Sequence, residues 1–215
     1  MDDSFLRAAL SEMGIGPADT LIPKIHRYVS EIVLFNPSLK LVGDEGDALY
    51  IRHVLDSMSA AALIRREFGE SFHAADLGSG AGLPGIPLAL ALEGGFFDLV
   101  ERMGRRCGFL RNAVAALGLS SRVRVIQGDI SAISASYDFV TMRAVSPLVR
   151  IAGPAGALVR PGGAVLAYKG TSQQVDCEVA ELQARYPGRY AVESVAVSVP
   201  GLDGERHICQ VRPLV

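Results

Sequence analysis

Asp76-Leu77-Gly78-Ser79-Gly80-Ala81-Gly82-Leu83-Pro84-Gly85 closes a short apolar run, Ala74–Leu77, and opens a helix-compatible one, Ile86–Leu92. Glycines at a strand-to-helix turn let the backbone come close to a ligand, and the helix N-terminus that follows favours negative charge or acceptor groups. Pro84 fits a first helical turn, where a missing N–H costs nothing. Downstream, runs rich in β-branched residues recur at Phe96–Val100, Val123–Ile126, Phe139–Met142 and Ala164–Ala167, with helix-compatible segments at Arg105–Leu117 and Val145–Val159. Strands alternating with helices imply right-handed crossovers and a parallel sheet. Tyr190–Val199 and His207–Leu214, joined by Pro200-Gly201-Leu202-Asp203-Gly204-Glu205, carry hairpin chemistry and predict an antiparallel pair at one edge. The expectation is an α/β, Rossmann-like fold of five βα steps and a terminal hairpin: a seven-stranded sheet with six strands parallel and one reversed.

Upstream of residue 73 the period is helical. Phe5, Leu6, Ala9, Leu10 and Met13 form one stripe, ended by Gly14-Ile15-Gly16-Pro17. Leu21, Ile22, Ile25, Val29, Ile32 and Val33 form a second, with Asn36-Pro37-Ser38 read as a turn. Ile51, Val54, Leu55, Met58, Ala62 and Leu63 form a third. Residues 1–72 therefore read as an N-terminal helical cap on a 73–215 core, the two making one structural unit.

The chain has 215 residues, a length suited to one domain, with 49 % hydrophobic and 20 % charged residues. Its net charge of −2 sets up no global basic field, so an anionic partner has to be held by a local cluster. Cys107, Cys177 and Cys209 show neither a C-x-x-C nor a disulfide framework. The N-terminus is acidic where a signal peptide is basic, and no apolar run approaches the ~18 residues of a membrane span. A soluble protein of the cytoplasm, monomeric and without membrane or metal, is expected.

Two ligand classes compete for the loop. Gly80-x-Gly82-x-x-Gly85 matches the dinucleotide fingerprint, which cradles a pyrophosphate and suits a nicotinamide-dependent oxidoreductase. Asp76, ending the first strand just before the glycines, repels a pyrophosphate and suits a ligand with an amine or hydroxyls, such as S-adenosylmethionine. Glu101 ends the second strand, placed for ribose hydroxyls. Asp129 ends the third, placed for an adenine edge beside Ile130 and Ser131. Three acids at three successive strand ends favour an adenosyl ligand of low charge, outside the carboxyl edge of the sheet.

Further motifs occur in one order: Arg52-His53-Val54-Leu55-Asp56-Ser57, the loop with its Leu-Pro-Gly-Ile-Pro-Leu continuation, Arg105-Arg106 with Phe109-Leu110, Arg143-Ala144-Val145, Lys169-Gly170, and Leu202-Asp203-Gly204-Glu205-Arg206-His207. This set closely resembles the glucose-inhibited division protein B family, methyltransferase G of the small ribosomal subunit RNA, over nearly the whole chain. The resemblance implies a class I S-adenosylmethionine methyltransferase acting on N7 of one guanine in the 530 loop of bacterial 16S rRNA, with the small subunit as partner. Carried onto this sequence, Gly78 and Leu83 match the cofactor loop, with Gly80 and Gly82 between them; Ile130 and Ser131 match the adenosyl contact and Arg143 the arginine after the fourth strand. Glu101 stands where the family commonly has Asp, and Lys40-Leu41-Val42 where it often has Asn-Leu-Thr.

Guanine N7 carries its lone pair in the ring plane and needs no general base, so positioning groups are sought, orientation alone being worth about 7–11 kcal/mol in favourable cases. Arg143 and Lys169, leaving the fourth and fifth strands, are the candidate catalytic residues. Arg143 can present a planar fork to guanine O6 or to phosphate, though not to N7 in the reactive pose. Arg102, Arg105, Arg106 and Arg111 form a candidate phosphate patch, with 102, 105 and 106 on one helical face. Cys107 reads as packing. His53 and Asp56 read as anchors of the cap over the loop, with Arg206 and His207 closing on the same region. A small-molecule methyltransferase and a cofactor-sensing RNA-binding module remain as other readings.

Overall fold

In the computed structural model, which describes residues 1–143 and 146–214, the change of period at residue 73 is the boundary between helices and sheet. Helices α1 (Asp3–Glu12) and α2 (Ala18–Leu39) lead to α3 (Asp47–Leu49), which runs through a π-helical stretch (Tyr50–Leu55) into α4 (Asp56–Met58), and α5 (Ala61–Phe68) follows. The remainder is β1 (His73–Leu77), α6 (Gly85–Ala91), β2 (Phe96–Glu101), α7 (Gly104–Ala116), β3 (Val123–Gln127), β4 (Tyr137–Met142), α8 (Leu148–Gly156), β5 (Val159–Lys169), α9 (Ser172–Arg185), β6 (Tyr190–Ala196) and β7 (His207–Pro213).

The seven strands lie in the order β3-β2-β1-β4-β5-β7-β6. Only β7 runs against the others, so the expected six-and-one sheet with its antiparallel terminal pair is the one observed. Chain order reverses between β1 and β4, and ligands of open α/β sheets bind outside the strand ends at such a switch point. One hydrophobic cluster joins Leu6, Ile25 and Leu55 of the helices to Leu99 and Phe139 of the sheet; a second packs Val100, Val140 and Ala155 on the other face. The N-terminal helices thus share a core with the sheet, each fully buried Leu or Ile contributing about 1.5–3 kcal/mol.

Several elements differ from expectation. Asn36-Pro37-Ser38 lies inside α2. Pro37 lacks the N–H that would reach Val33, but Val33 sits on the exposed side, where water can take its carbonyl. The turn comes four residues later: Lys40 is left-handed, and Asn36 Oδ1 accepts from the Leu41 and Val42 amides at 2.7 and 3.0 Å. The third stripe is interrupted at Ser59-Ala60. The β3–β4 step holds only a 3-10 turn (Ile130–Ala132), and the fifth strand starts at Val159, so the preceding helix is shorter than expected. Ala144 and Val145, at the start of that expected helix, lie outside the described residues.

At the amino end of the sheet, Asp98 is buried and accepts from Arg124 Nε and Nη2 at 2.9 and 2.7 Å and from the Tyr137 hydroxyl at 2.9 Å. His73 Nε2 lies 3.2 Å away. Arg122 donates to the carbonyls of Ala89, Leu92 and Gly95. Both arginines of β3 and its approach therefore have structural partners at the edge opposite the glycine loop.

Candidate active site

The glycine loop takes its shape from its neighbours. Gly78, Gly80 and Gly82 all have positive φ, and a Cβ on Gly82 would stand 2.5 Å from Ile86 Cδ1. The Gly78 and Ser79 amides donate to Val100 O at 2.9 and 3.0 Å, binding the loop to the end of β2. From α2, the buried Tyr28 hydroxyl donates to Ala81 O at 2.6 Å, fastening the cap to the loop.

Asp76 is fully buried. Its Oδ2 accepts from the Gly85 amide at 3.0 Å, and its Oδ1 has no partner. Burial pushes this carboxyl up to about 7, against hydrogen bonding from Ser79 and Gly85 and the Arg143 charge, with Glu101 adding repulsion. Glu101 is also buried, Oε2 accepting from the Gly80 amide at 3.0 Å and Oε1 from Met103 at 2.8 Å. Asp129 is exposed, and its Oδ1 accepts from the Ser131 amide and hydroxyl at 3.0 and 2.7 Å, which holds the carboxyl below its usual value. Ile130 is half-buried beside it and Ser131 exposed.

These residues fit S-adenosylmethionine. An unpartnered buried carboxylate oxygen suits a cationic or hydroxyl donor group, and each Glu101 oxygen keeps a lone pair for a ribose hydroxyl. They do not fit a pyrophosphate: the Gly80 amide that would meet a phosphate is taken by Glu101, with the Asp76 carboxyl behind it.

Beside the loop opens a cavity of about 430 Å³, lined among others by Asp44, His53, Asp56, Arg143, Lys169 and Arg206. Arg143 Nη1 donates to Arg52 O at 2.8 Å and to Asp56 Oδ2 at 3.2 Å, while Nη2 lies 2.6 Å from His53 Nδ1. An arginine only donates, so Nδ1 accepts and the imidazole proton sits on Nε2, which stands 2.9 Å from Asp44 Oδ2 without the alignment of a hydrogen bond. Burial and the Arg143 charge hold the His53 pKa below its ordinary value, in keeping with a neutral ring, even with Asp44 beside it. Asp56, 5 % exposed, also accepts from Arg206 Nε at 2.9 Å. One carboxylate thus joins the cap, the end of β4 and the segment before β7. His207 Nδ1 lies 2.8 Å from Gly170 O, closing the same corner.

Lys169 lines this cavity but is buried in a tight pair: Nζ stands 2.6 Å from Glu178 Oε2 and donates to Ser146 O at 2.8 Å. Glu178 Oε2 also accepts from the Leu148 amide at 2.9 Å, fixing the start of α8. The four patch arginines separate. Arg102 precedes α7 rather than lying on it, Arg105 and Arg111 are exposed on α7, and Arg106 is half-buried beside Gly80 with its Nε unpartnered. Residues that sequence reasoning missed are Asp44, Tyr28, Tyr168 and Glu178. Tyr168 donates to Ser57 O at 2.5 Å, tying β5 to the cap.

Among the described residues, no helix is long and apolar enough to cross a membrane, and no three His, Cys, Asp or Glu side chains group as a metal site. The fold is shared with a mitomycin 7-O-methyltransferase (19 % identity, TM-score 0.59, 75 % of this chain and 54 % of that one). A methyltransferase from Pyrococcus furiosus is similar over 88 % of this chain and 98 % of its own, at 12 % identity and TM-score 0.57. In sequence, the ribosomal RNA small subunit methyltransferase G of Stenotrophomonas maltophilia (strain K279a) is 38 % identical over 209 residues, covering 96 % of this chain and 92 % of that protein. The family described as GidB, rRNA small subunit methyltransferase G, matches residues 21–209. The chain belongs to that family, of S-adenosylmethionine-dependent methyltransferases of ribosomal RNA.

Proposed function

We propose that this enzyme methylates N7 of one guanine in the 530 loop of 16S rRNA within the small ribosomal subunit. The observation that carries the reading is the place of Arg143 between two sites: its charge acts on the buried Asp76 carboxyl of the glycine loop, and its side chain lines a cavity rich in arginine. Asp76, Gly78, Gly80, Gly82, Leu83 and Glu101 hold the methyl donor, with Asp129, Ile130 and Ser131 at its adenine end. When bound, S-adenosylmethionine supplies an electrophilic methyl group.

The chain's own contribution is orientation. Arg143 is held on three sides, so it borders donor and base without moving. No proton has to leave guanine N7, and the cavity matches that requirement: the His53 ring faces Arg143 on one nitrogen and Asp44 on the other, which removes it as a free base. Lys169 acts as a positioning residue, because its ammonium is engaged by Glu178 and Ser146. Exposed Arg102, Arg105 and Arg111 meet the RNA backbone; Arg106 stands behind them against the loop, between RNA and donor. The protein works as a monomer in the cytoplasm, where its substrate is, and needs no metal.

Transfer of labelled methyl to small subunits lacking the modification tests the reading, with the product nucleoside identified. One 7-methylguanosine in the 530 loop is expected. Transfer to another atom or another RNA, or none from a protein that binds the donor, would overturn it.

A further inference from the structure

The cavity beside the loop is lined by four cationic side chains, Arg52, Arg143, Lys169 and Arg206, and by two carboxylates, Asp44 and Asp56. Most of them are committed. Asp56 is buried with both oxygens engaged, and Lys169 is paired with Glu178. Asp44 differs. It lies in the loop between α2 and α3 with its side chain 32 % exposed; Oδ2 faces His53 Nε2 at 2.9 Å, and Oδ1 has only Arg52 Nη1 at 3.5 Å. A carboxylate offers about four lone-pair sites, so Asp44 is the charged acceptor in this cavity with capacity to spare.

The chemistry of guanine selects a use for it. The edge carrying N1–H and the N2 amine presents donors side by side, on the far side of the base from N7. Adenine presents an acceptor at N1 instead and would face a carboxylate with repulsion. We infer that Asp44 reads the N1–H and N2–H edge of the target guanine and so turns N7 toward the methyl donor; this rests on the guanine-N7 reading above.

A second consequence concerns rate. As N7 takes the methyl group, positive charge develops on the base inside a cavity where cations outnumber carboxylates. A carboxylate on the N1–H side offsets that field, and its hydrogen bonds strengthen as N1–H becomes more acidic. Interactions that strengthen toward the transition state accelerate the chemical step. Asp44 thus serves base choice and turnover together.

Inosine, which is guanosine without the N2 amine, tests this directly. Small subunits reconstituted with 16S rRNA carrying guanosine or inosine at the target are methylated by the full-length enzyme and by Asp44→Asn, which keeps an acceptor for His53. Loss of a hydrogen bond to a charged group lowers the wild-type rate on inosine about 10- to 100-fold. In Asp44→Asn the guanosine-to-inosine ratio collapses to near unity, with donor affinity unchanged. The relative affinities of Asp44→Ala for the two subunit preparations give the same comparison without turnover. An equal inosine penalty in wild type and variants overturns the role of Asp44 alone. Absence of 7-methylguanosine from wild type on guanosine subunits overturns the guanine-N7 reading, and this inference with it.

Discussion

Replacing Asp76 by Asn removes the most costly charge of the proposed donor site. Raising a carboxyl from its ordinary 3.8 up to about 7 disfavours the ionised form in the folded protein by about 4 kcal/mol. The unfolded chain loses this proton near 3.8, whereas the folded protein keeps it until about 7. Between those values the native state binds more protons, so wild-type stability falls as pH rises, and the loss is complete above about 7. Asn cannot ionise and lacks that slope. It keeps an acceptor for the Gly85 amide, but its N–H₂ lies where Oδ1 has no partner, costing about 1–3 kcal/mol. Asp76→Asn is therefore less stable than wild type at about pH 3, below both values, by about 1–3 kcal/mol, and more stable at about pH 8, by a similar margin. Urea unfolding across that range checks it through the crossing of the two curves. Parallel curves, or a variant weaker throughout, would refute an ionised, strained Asp76. The stabilised variant is expected to lose donor affinity at least about tenfold, as removal of a charge-assisted partner does.

Asp56→Ala leaves Arg143 and Arg206 facing each other without their carboxylate; breaking a buried pair costs about 3–5 kcal/mol, reduced here to about 2–4 because Arg206 is partly exposed, and the denaturation midpoint reports it. Glu101→Gln keeps the shape of the side chain but replaces one of two oxygens that accept from loop amides; the donor dissociation constant, by calorimetry, is expected to rise about tenfold while small-subunit affinity stays the same. Arg105→Ala is expected to weaken small-subunit binding and lower the slope of log affinity against log salt by about one, with donor affinity unaltered.

The core of this fold could be read because its signals are local. Alternation of period, the glycines at a strand end and the Pro-Gly-Leu-Asp-Gly turn each act within a few residues. The turn after α2 was displaced because its cause is the Asn36 side chain reaching forward to Leu41 and Val42, while Pro37 is tolerated where its missing bond meets solvent. In the site, Asp76 and Glu101 are marked by their places at strand ends. Asp44 gave no such mark: Gly43-Asp44-Glu45-Gly46-Asp47 has the composition of any solvated loop, and only the fold brings it to His53. Glu178 was hidden likewise, being one acid among several on α9 until Lys169 and the Leu148 amide meet it. Asp98 and Asp138, charges inside apolar strands, were places where a partner could have been sought from sequence.

The bond between Asp56 and Arg206 also bears on when the enzyme becomes competent. Arg206 directly precedes β7, the strand that lies between β5 and β6 in the finished sheet. While the chain is being synthesised, the glycine loop and its carboxylates emerge long before this last strand can insert. A nascent or truncated chain ending before Arg206 retains the loop residues of the proposed donor site but not the closed cavity. Contacts of such large sequence separation form late and slowly. Donor binding and methyl transfer should thus mature at different moments in the life of one polypeptide, the second waiting on Arg206 and β7.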